Sequence, residues 1–204
     1  MEDINNMVDL IGILAGRPIY SHSGRDEEYY TFPLSVERLS GISDTINIVL
    51  RKEQLQRLEI SDQSHLHISG ELRSFNNKSG IGNRLIITVL ARQISFVNDD
   101  AKNVVHLRGA LCKPPNFRQT PMGREICDLM LAVNRHYGRS DYIPCIAWGH
   151  LAKSVAEFPV GTNLSLSGRI QSRTYTKIEN DIQIEKIAFE VSVTDMKLIE
   201  MPNK

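Results

Sequence analysis

Apolar and polar positions alternate through the second half of the chain. Leu164, Leu166, Gly168, Ile170 and Ser172 take one parity, and Ser165, Ser167, Arg169, Gln171 and Arg173 take the other. A period of two over this length predicts a half-buried strand. Upstream, Tyr142, Ile143, Cys145 and Ala147 form an apolar run interrupted by Pro144 and Trp148. Between the two lies a short helix over 150–158, stopped by Pro159 and Gly161. Strand, short helix, Gly-Thr turn and long basic strand make the middle of a small closed barrel. Tyr142, Trp148, Arg169, Gln171, Arg173 and Tyr175 need not face its core.

The same pattern occurs earlier in the chain. Shifted by 97 places, Val8, Leu10 and Gly12 fall on Val105, Leu107 and Gly109. Phe32, Leu34, Val36 and Arg38 fall on Leu129, Leu131, Val133 and Arg135, and Asp44 and Ile46 on Asp141 and Ile143. With one residue of slip, Gly70, Leu72 and Ser74 meet Gly168, Ile170 and Ser172. Few residues are identical, yet their order and periodicity persist, which is how an internal repeat reads.

Each half is predicted to hold five strands with a helix after the third. In the first half the strands lie near 7–16, 28–38, 44–51, 64–75 and 83–97, with a helix over 52–58. In the second they lie near 103–112, 124–135, 141–147, 162–175 and 185–199. Pro121 and Gly123 occupy the second and fourth places of a type I turn, and residues 76–80 and 178–181 are hairpin tips. The expected fold is all-β, two tandem OB-fold (oligonucleotide/oligosaccharide-binding) five-stranded barrels, each with a short helix between strands 3 and 4. Barrel 1 spans 1–97, a polar linker 98–102, barrel 2 103–199, and a short tail 200–204. Barrels of this kind bind ligands on strands two and three and the loops beside them.

Charge separates the halves. The net charge of the 204 residues is zero. Residues 1–102 carry 11 Lys and Arg against 14 Asp and Glu, and residues 103–204 carry 13 against 10. Between 106 and 177 there are 10 basic and 4 acidic residues, an excess of six. Such a local field matters more to a polyanion than the sum.

Several chemistries drop out. No apolar span is long enough for a transmembrane helix, and the acidic, polar N-terminus is unlike a secretory signal. Cys112, Cys127 and Cys145 are odd in number and share no CxxC spacing, which fits buried thiols in a reducing cytoplasm rather than disulfides or zinc. The stretch from Ser79 to Gly82 lacks the strand–helix setting of a phosphate loop. His65 and His67 share a strand face without a third ligand. The expectation is a protein that is not an enzyme, with no cofactor and no metal.

Residues 103–199 resemble the bacterial single-stranded DNA-binding proteins. The resemblance rests on the opening from Asn103 to Gly109, the turn from Thr120 to Gly123 ahead of Leu131 and Asn134, and the run from Asp141 to Ala152. It continues through Val160 and Gly161 and closes with the strand from Leu166 to Tyr175. The run over 141–152 and the closing strand are the specific parts. The first half keeps the frame weakly, so the chain is similar to a tandem, two-barrel version found among Firmicutes-like bacteria. The resemblance implies that Tyr142 and Tyr175 are stacking rings, that Trp148 is a base-contacting aromatic, and that Arg169 and Arg173 are basic positions of the binding strand. The residues themselves agree, because bases expose π faces to aromatics and phosphates require cations. Arg118, Arg124, Arg135, Arg139 and Lys177 are further phosphate candidates. Phe117, expected in the first hairpin loop, either stacks or folds inward.

The first barrel departs from the pattern. Thr45 stands at the Tyr142 position, Arg51 at the Trp148 position, and Phe75 begins the stretch replacing the closing Arg-Thr-Tyr. It either binds weakly through Arg17, Tyr29, Tyr30, Arg73 and Phe75 or serves assembly. The expected function is sequence-tolerant single-stranded DNA binding that protects unwound DNA in replication, repair or recombination. The alternative is an accessory protein-interaction module of primosome or mobile-element type with weak nucleic-acid binding. Because stacking rings do not see the 2′-OH, RNA is a lesser expectation. Four barrels are the family's usual assembly, which implies a homodimer. Location is expected to be cytoplasmic and nucleoid-associated, without membrane contact. The family's acidic C-terminal tail is not seen before Lys204, so recruitment of replication partners through such a tail is not expected.

Overall fold

The structure, a computed structural model, describes residues 5–24, 26–58, 63–78, 83–135, 138–179 and 182–199 of the 204. The side chains of residues 177–179 and 182 are outside this description. The chain divides into two compact units. One comprises residues 7–73 and 87–104; the other comprises 1–6, 74–86 and 105–204.

The strands of the first repeat are β1 (Asn6–Leu14), β2 (Ile19–Gly24), β3 (Glu27–Glu37), β4 (Ser43–Arg51), β5 (His65–Asn76) and β6 (Leu85–Phe96), with α1 (Lys52–Gln56) after β4. They are hydrogen-bonded in the order β2-β3-β4-β6-β5-β1, and β1 returns to β3 through Ile13 opposite Ser35. That return closes the barrel, which removes free sheet edges except at the short β2. Alternation in β3 turns Phe32, Leu34 and Val36 inward, where they meet Ile46, Ile48 and Leu50 of β4.

The second repeat has the same order. It runs β7 (Lys102–Leu111), β8 (Asn116–Gln119), β9 (Glu125–Asn134), β10 (Ser140–Trp148), α2 (Gly149–Ala156), β11 (Asn163–Glu179) and β12 (Ile182–Leu198). The hydrogen-bonded order is β7-β11-β12-β10-β9-β8, closed by β7 on β9. Leu107, Leu131, Ile143, Leu166 and Ile170 fill the interior, and Ala152 and Val155 of α2 are buried with them. At the closing crossing a Cβ on Gly109 would collide with the carbonyl oxygen of Ala132. Its repeat mate Gly12 faces the carbonyl oxygen of Ser35 in the same way. A side chain at either position would push the crossing strands apart, so both repeats need glycine there.

Fold class and repeat agree with the sequence reading, and three details differ. Strands β2 and β8 occupy stretches expected to be loop; both are short ribbons with few inward positions, so they leave no hydrophobic period. Phe117 accordingly lies in a strand. β11 and β12 are longer than expected, at 17 residues each, because their hairpin runs on past the last core position at Ile170. The turn at 120–123 forms as read, with the Gly123 amide donating to the Thr120 carbonyl at 2.8 Å. Residues 79–80 of the first expected hairpin tip, residues 180–181 of the second and the tail 200–204 lie outside the described residues.

Candidate nucleic-acid interface

Strand β10 separates its residues by parity. Ile143, Cys145 and Ala147 are buried, whereas Tyr142 is half exposed and Trp148 partly so. Six residues at ~3.3 Å each put Tyr142 and Trp148 about 20 Å apart along the strand. On β9, Cys127, Leu129, Leu131 and Val133 face the core, and Asp128, Met130 and Ala132 face outward. Ala132 lies opposite Tyr142, and Ile126 lies opposite Trp148.

The outer face continues across the parallel pairing of β10 with β12. Ile146 stands beside Ser192, and Ser192 stands opposite Arg169 on β11. The indole of Trp148 donates to the Ser192 hydroxyl at 3.1 Å, which fixes the ring against β12. Arg169, Gln171, Arg173 and Tyr175 share one face of β11, opposite the buried Leu166 and Ile170. The Arg173 guanidinium lies 5.8 Å from the Tyr175 ring centroid, within cation–π range. The Tyr175 hydroxyl donates to Asn83 Oδ1 at 3.4 Å.

The cations of this unit fall into two groups. Arg118 donates to both oxygens of Asp128, at 2.6 and 3.1 Å. Those hydrogen bonds raise its pKa, and the charges of Asp128 and Glu190 add to the effect. Arg135 donates from Nε to Asp141 at 2.7 Å, from Nη2 to the same carboxylate, and to the Ser74 carbonyl at 3.2 Å. Lys153 pairs with Glu125 at 3.0 Å and Arg173 with Glu190 at 3.5 Å. Among the described residues no carboxylate pairs with Arg169, Arg124 or Arg139, and all three are exposed. Arg124 ends the β8–β9 turn and Arg139 precedes β10.

The structure thus brings Tyr142, Trp148, Arg169, Arg173 and Tyr175 onto the outer face of β10, β12 and β11. Arg135 is committed to a fully buried carboxylate, a structural task that the sequence did not reveal. Phe117 is 41% exposed and lies opposite Cys127, so it shares the ribbon face turned from Arg118 and Asp128. Lys177 belongs to β11, but its side chain is outside the described residues. Two residues were missed altogether. Ser192 and Glu190 of β12 are polar and buried, yet they point outward and hold Trp148, Gln171 and Arg173. The alternation of β12 carries that signal, since both share parity with exposed positions and not with Val191 and Val193.

The other unit presents different chemistry at matching places. Arg51 pairs with Glu27 at 2.9 Å, and Lys52 pairs with Glu28 at 2.7 Å. Arg73 is paired with Glu71. Tyr29 stacks on His22 with centroids 4.8 Å apart, and Tyr30 meets Tyr20 edge-on at 6.0 Å. Thr45 is exposed, and so is Phe75, which belongs to the first repeat but lies in the segment 74–86 of the unit described above.

Comparison with known proteins agrees with this architecture. Residues 102–199 match the profile of the Single-strand binding protein family. The chain is 33% identical over 109 residues to a Single-stranded DNA-binding protein of Clostridium tetani, covering 50% of this chain and 73% of that one. It is 31% identical over 105 residues to Single-stranded DNA-binding protein B of Bacillus subtilis, covering 48% and 90%. It spans only 61% of Bacillus subtilis Single-stranded DNA-binding protein A, at 33% identity. The crystal structure of the single-stranded DNA binding protein from Thermus aquaticus superposes with a TM-score of 0.78 over 98% of this chain and 95% of that one, at 21% identity, which establishes the shared fold. On the strength of its sequence relatives, the chain belongs to the bacterial single-strand binding protein family.

Proposed function

We propose that the chain binds single-stranded DNA without sequence preference, through the outer face of β10, β12 and β11. Tyr142, Trp148 and Tyr175 stack on bases, each worth ~1–3 kcal/mol. Arg169, Arg173, Arg124 and Arg139 neutralise phosphates. The observation that carries this reading is the joint exposure of Tyr142 with the guanidiniums of Arg169 and Arg173 on one face, outside the hydrophobic interior. Lys177 is a secondary contact at the margin, whereas Phe117, on the ribbon face turned away from Asp128, is assigned none. Arg118 and Arg135 support the face through Asp128 and Asp141. The protein acts by binding and not by catalysis, shielding unwound DNA during replication, repair or recombination in the cytoplasm, at the nucleoid.

The repeat of residues 1–97 serves assembly. What supports this is the replacement of a ring by Arg51, already neutralised by Glu27, and the pairing of Lys52 with Glu28. A homodimer would then present four barrels. RNA binds the same face more weakly.

Trp148 is the chain's single tryptophan, so its fluorescence reports directly on the proposed face. Titration with oligo(dT) is expected to quench it deeply, with salt reversing the effect at a log–log slope of about 0.7 per phosphate neutralised. No change at low salt would defeat the reading, and oligo(U) in parallel measures the preference for DNA.

A further inference from the structure

Glu190 is an unusual residue to find on the outer side of β12. It lies opposite Gln171, between β10 and β11, in the centre of the face that carries Arg169, Arg173 and Trp148. Its residue is only 6% exposed. Both carboxylate oxygens are engaged. Oε1 accepts from Gln171 Nε2 at 2.9 Å, and Oε2 lies 3.5 Å from Arg173 Nε. Arg118 also feels its charge, after that of Asp128.

A carboxylate among guanidiniums offers the charge and the oxygen lone pairs that a phosphate diester offers. We infer that Glu190 is a built-in competitor for the strand's phosphates, holding Arg173 in the free protein and yielding it when DNA binds. Two features make the exchange feasible. The Arg173 contact is long for a charge-assisted hydrogen bond, ordinarily ~2.7–2.9 Å, and its side chain is 49% exposed, so the guanidinium can swing outward without unburying itself. When it leaves, Glu190 keeps the Gln171 hydrogen bond and the nearby charge of Arg118, so the carboxylate is not stranded. Arg135 is the contrast: its two hydrogen bonds grip an Asp141 with no exposure at all, and nothing there can exchange.

The consequence is a face whose charge is partly spent in the free state. The strand binds less tightly than the count of arginines implies and is more readily displaced. Arg169 has no such competitor among the described residues and meets phosphate at full charge.

The inference rests on the proposed DNA-binding reading, and its test separates the two. Oligo(dT) is titrated against wild type, Glu190→Gln, Arg173→Gln and the double variant over a salt series, with folding checked by circular dichroism. Glu190→Gln keeps the amide-sized side chain and removes the charge. It is expected to tighten binding roughly two- to fivefold, the scale of a part-exposed ion pair, and to steepen the salt slope by up to about 0.7. The gain should vanish in the Arg173→Gln background, which a merely structural role for Glu190 would not produce. Unchanged or weaker binding by folded Glu190→Gln overturns the inference while leaving wild-type binding intact. Failure of wild type to bind defeats the functional reading itself. Should Glu190→Gln not fold, the single variants decide: Arg173→Gln is expected to cost less affinity than Arg169→Gln, and an equal or greater loss overturns the inference.

Discussion

Arg135 holds the fully buried carboxylate of Asp141 with two hydrogen bonds, one of them from Nε at 2.7 Å. The same pair exists one repeat earlier: Arg38 holds Asp44, also without exposure, at 2.6 and 2.5 Å. In each case the two residues flank the turn joining the barrel's long central hairpin, β3–β4 and β9–β10. Asp141 further accepts the Ser74 amide at 2.6 Å. A carboxylate taken out of solvent is tolerated only when so surrounded.

Removing one partner should therefore be severe. Asp141→Ala is expected to cost about 3 kcal/mol, because it strands the guanidinium and the Ser74 amide together. Urea unfolding followed through Trp148 measures it. Arg135→Gln should likewise lower the urea midpoint while leaving the salt slope of DNA binding unchanged. A shallower slope with unaltered stability would return Arg135 to the phosphate contacts.

Much of this arrangement was legible beforehand, and the reason is periodicity. Leu166 to Ile170 and Phe32 to Val36 alternate cleanly because each strand has one buried face, and a 97-residue repeat doubles every signal. Gly12 and Gly109 aligned because the closing strands touch at both. What stayed hidden depends on pairing across strands. The sequence marks Arg135 as one more surface cation, since nothing local says that Asp141, six residues on, folds back beneath it. Glu190 and Ser192 share the outward parity of β12, but only the registers of β12 against β11 and β10 make them supports for Arg173 and Trp148. β2 and β8 escaped because ribbons with both faces wet have no hydrophobic period to read.

Asp9 offers a pH test in the unit of residues 7–73 and 87–104. Burial pulls its pKa upward, but hydrogen bonds from Lys102 at 2.5 Å and His67 at 2.8 Å outweigh this and leave it below its ordinary value. A carboxyl with a depressed folded pKa stabilises the fold above the unfolded value of ~3.9, and the contribution fades as pH falls through the folded value. Asp9→Asn should therefore be less stable than wild type near neutrality, and the gap should close below about pH 4. A gap that persists undiminished into strong acid would assign the effect to packing instead.

The three thiols should differ in reactivity. Burial pushes Cys127 up to about 11, with help from the charge of Asp128, and pushes Cys145 higher still, with help from Glu190. Cys112 is only partly buried, is raised mainly by burial, and donates to the Met130 carbonyl at 3.3 Å. Since the thiolate is the reactive form, a maleimide at pH 8 should label Cys112 first in native protein. Cys127 and Cys145 should react only on unfolding, which peptide mass mapping distinguishes. Early labelling of Cys145 would mean that the barrel opens locally.

Inequality between the repeats is the sharpest consequence of the site. Tyr142 presents a half-exposed ring and Tyr175 a ring beside the Arg173 guanidinium, whereas Thr45 offers no π face, and Phe75 lies two residues after Arg73, which is paired with Glu71. Truncating a stacking ring loses ~1–3 kcal/mol per base, and an exposed threonine that meets no base loses nothing. Tyr142→Ala combined with Tyr175→Ala should weaken oligo(dT) binding by at least tenfold, which corresponds to about 1.4 kcal/mol. Thr45→Ala combined with Phe75→Ala should leave it within about twofold, the scale of an ordinary surface change. Both double variants keep their core intact, so matching thermal melts would assign the difference to the interface. Equal losses would show that the strand crosses both repeats, and the division of labour between a binding barrel and an assembly barrel would have to be abandoned.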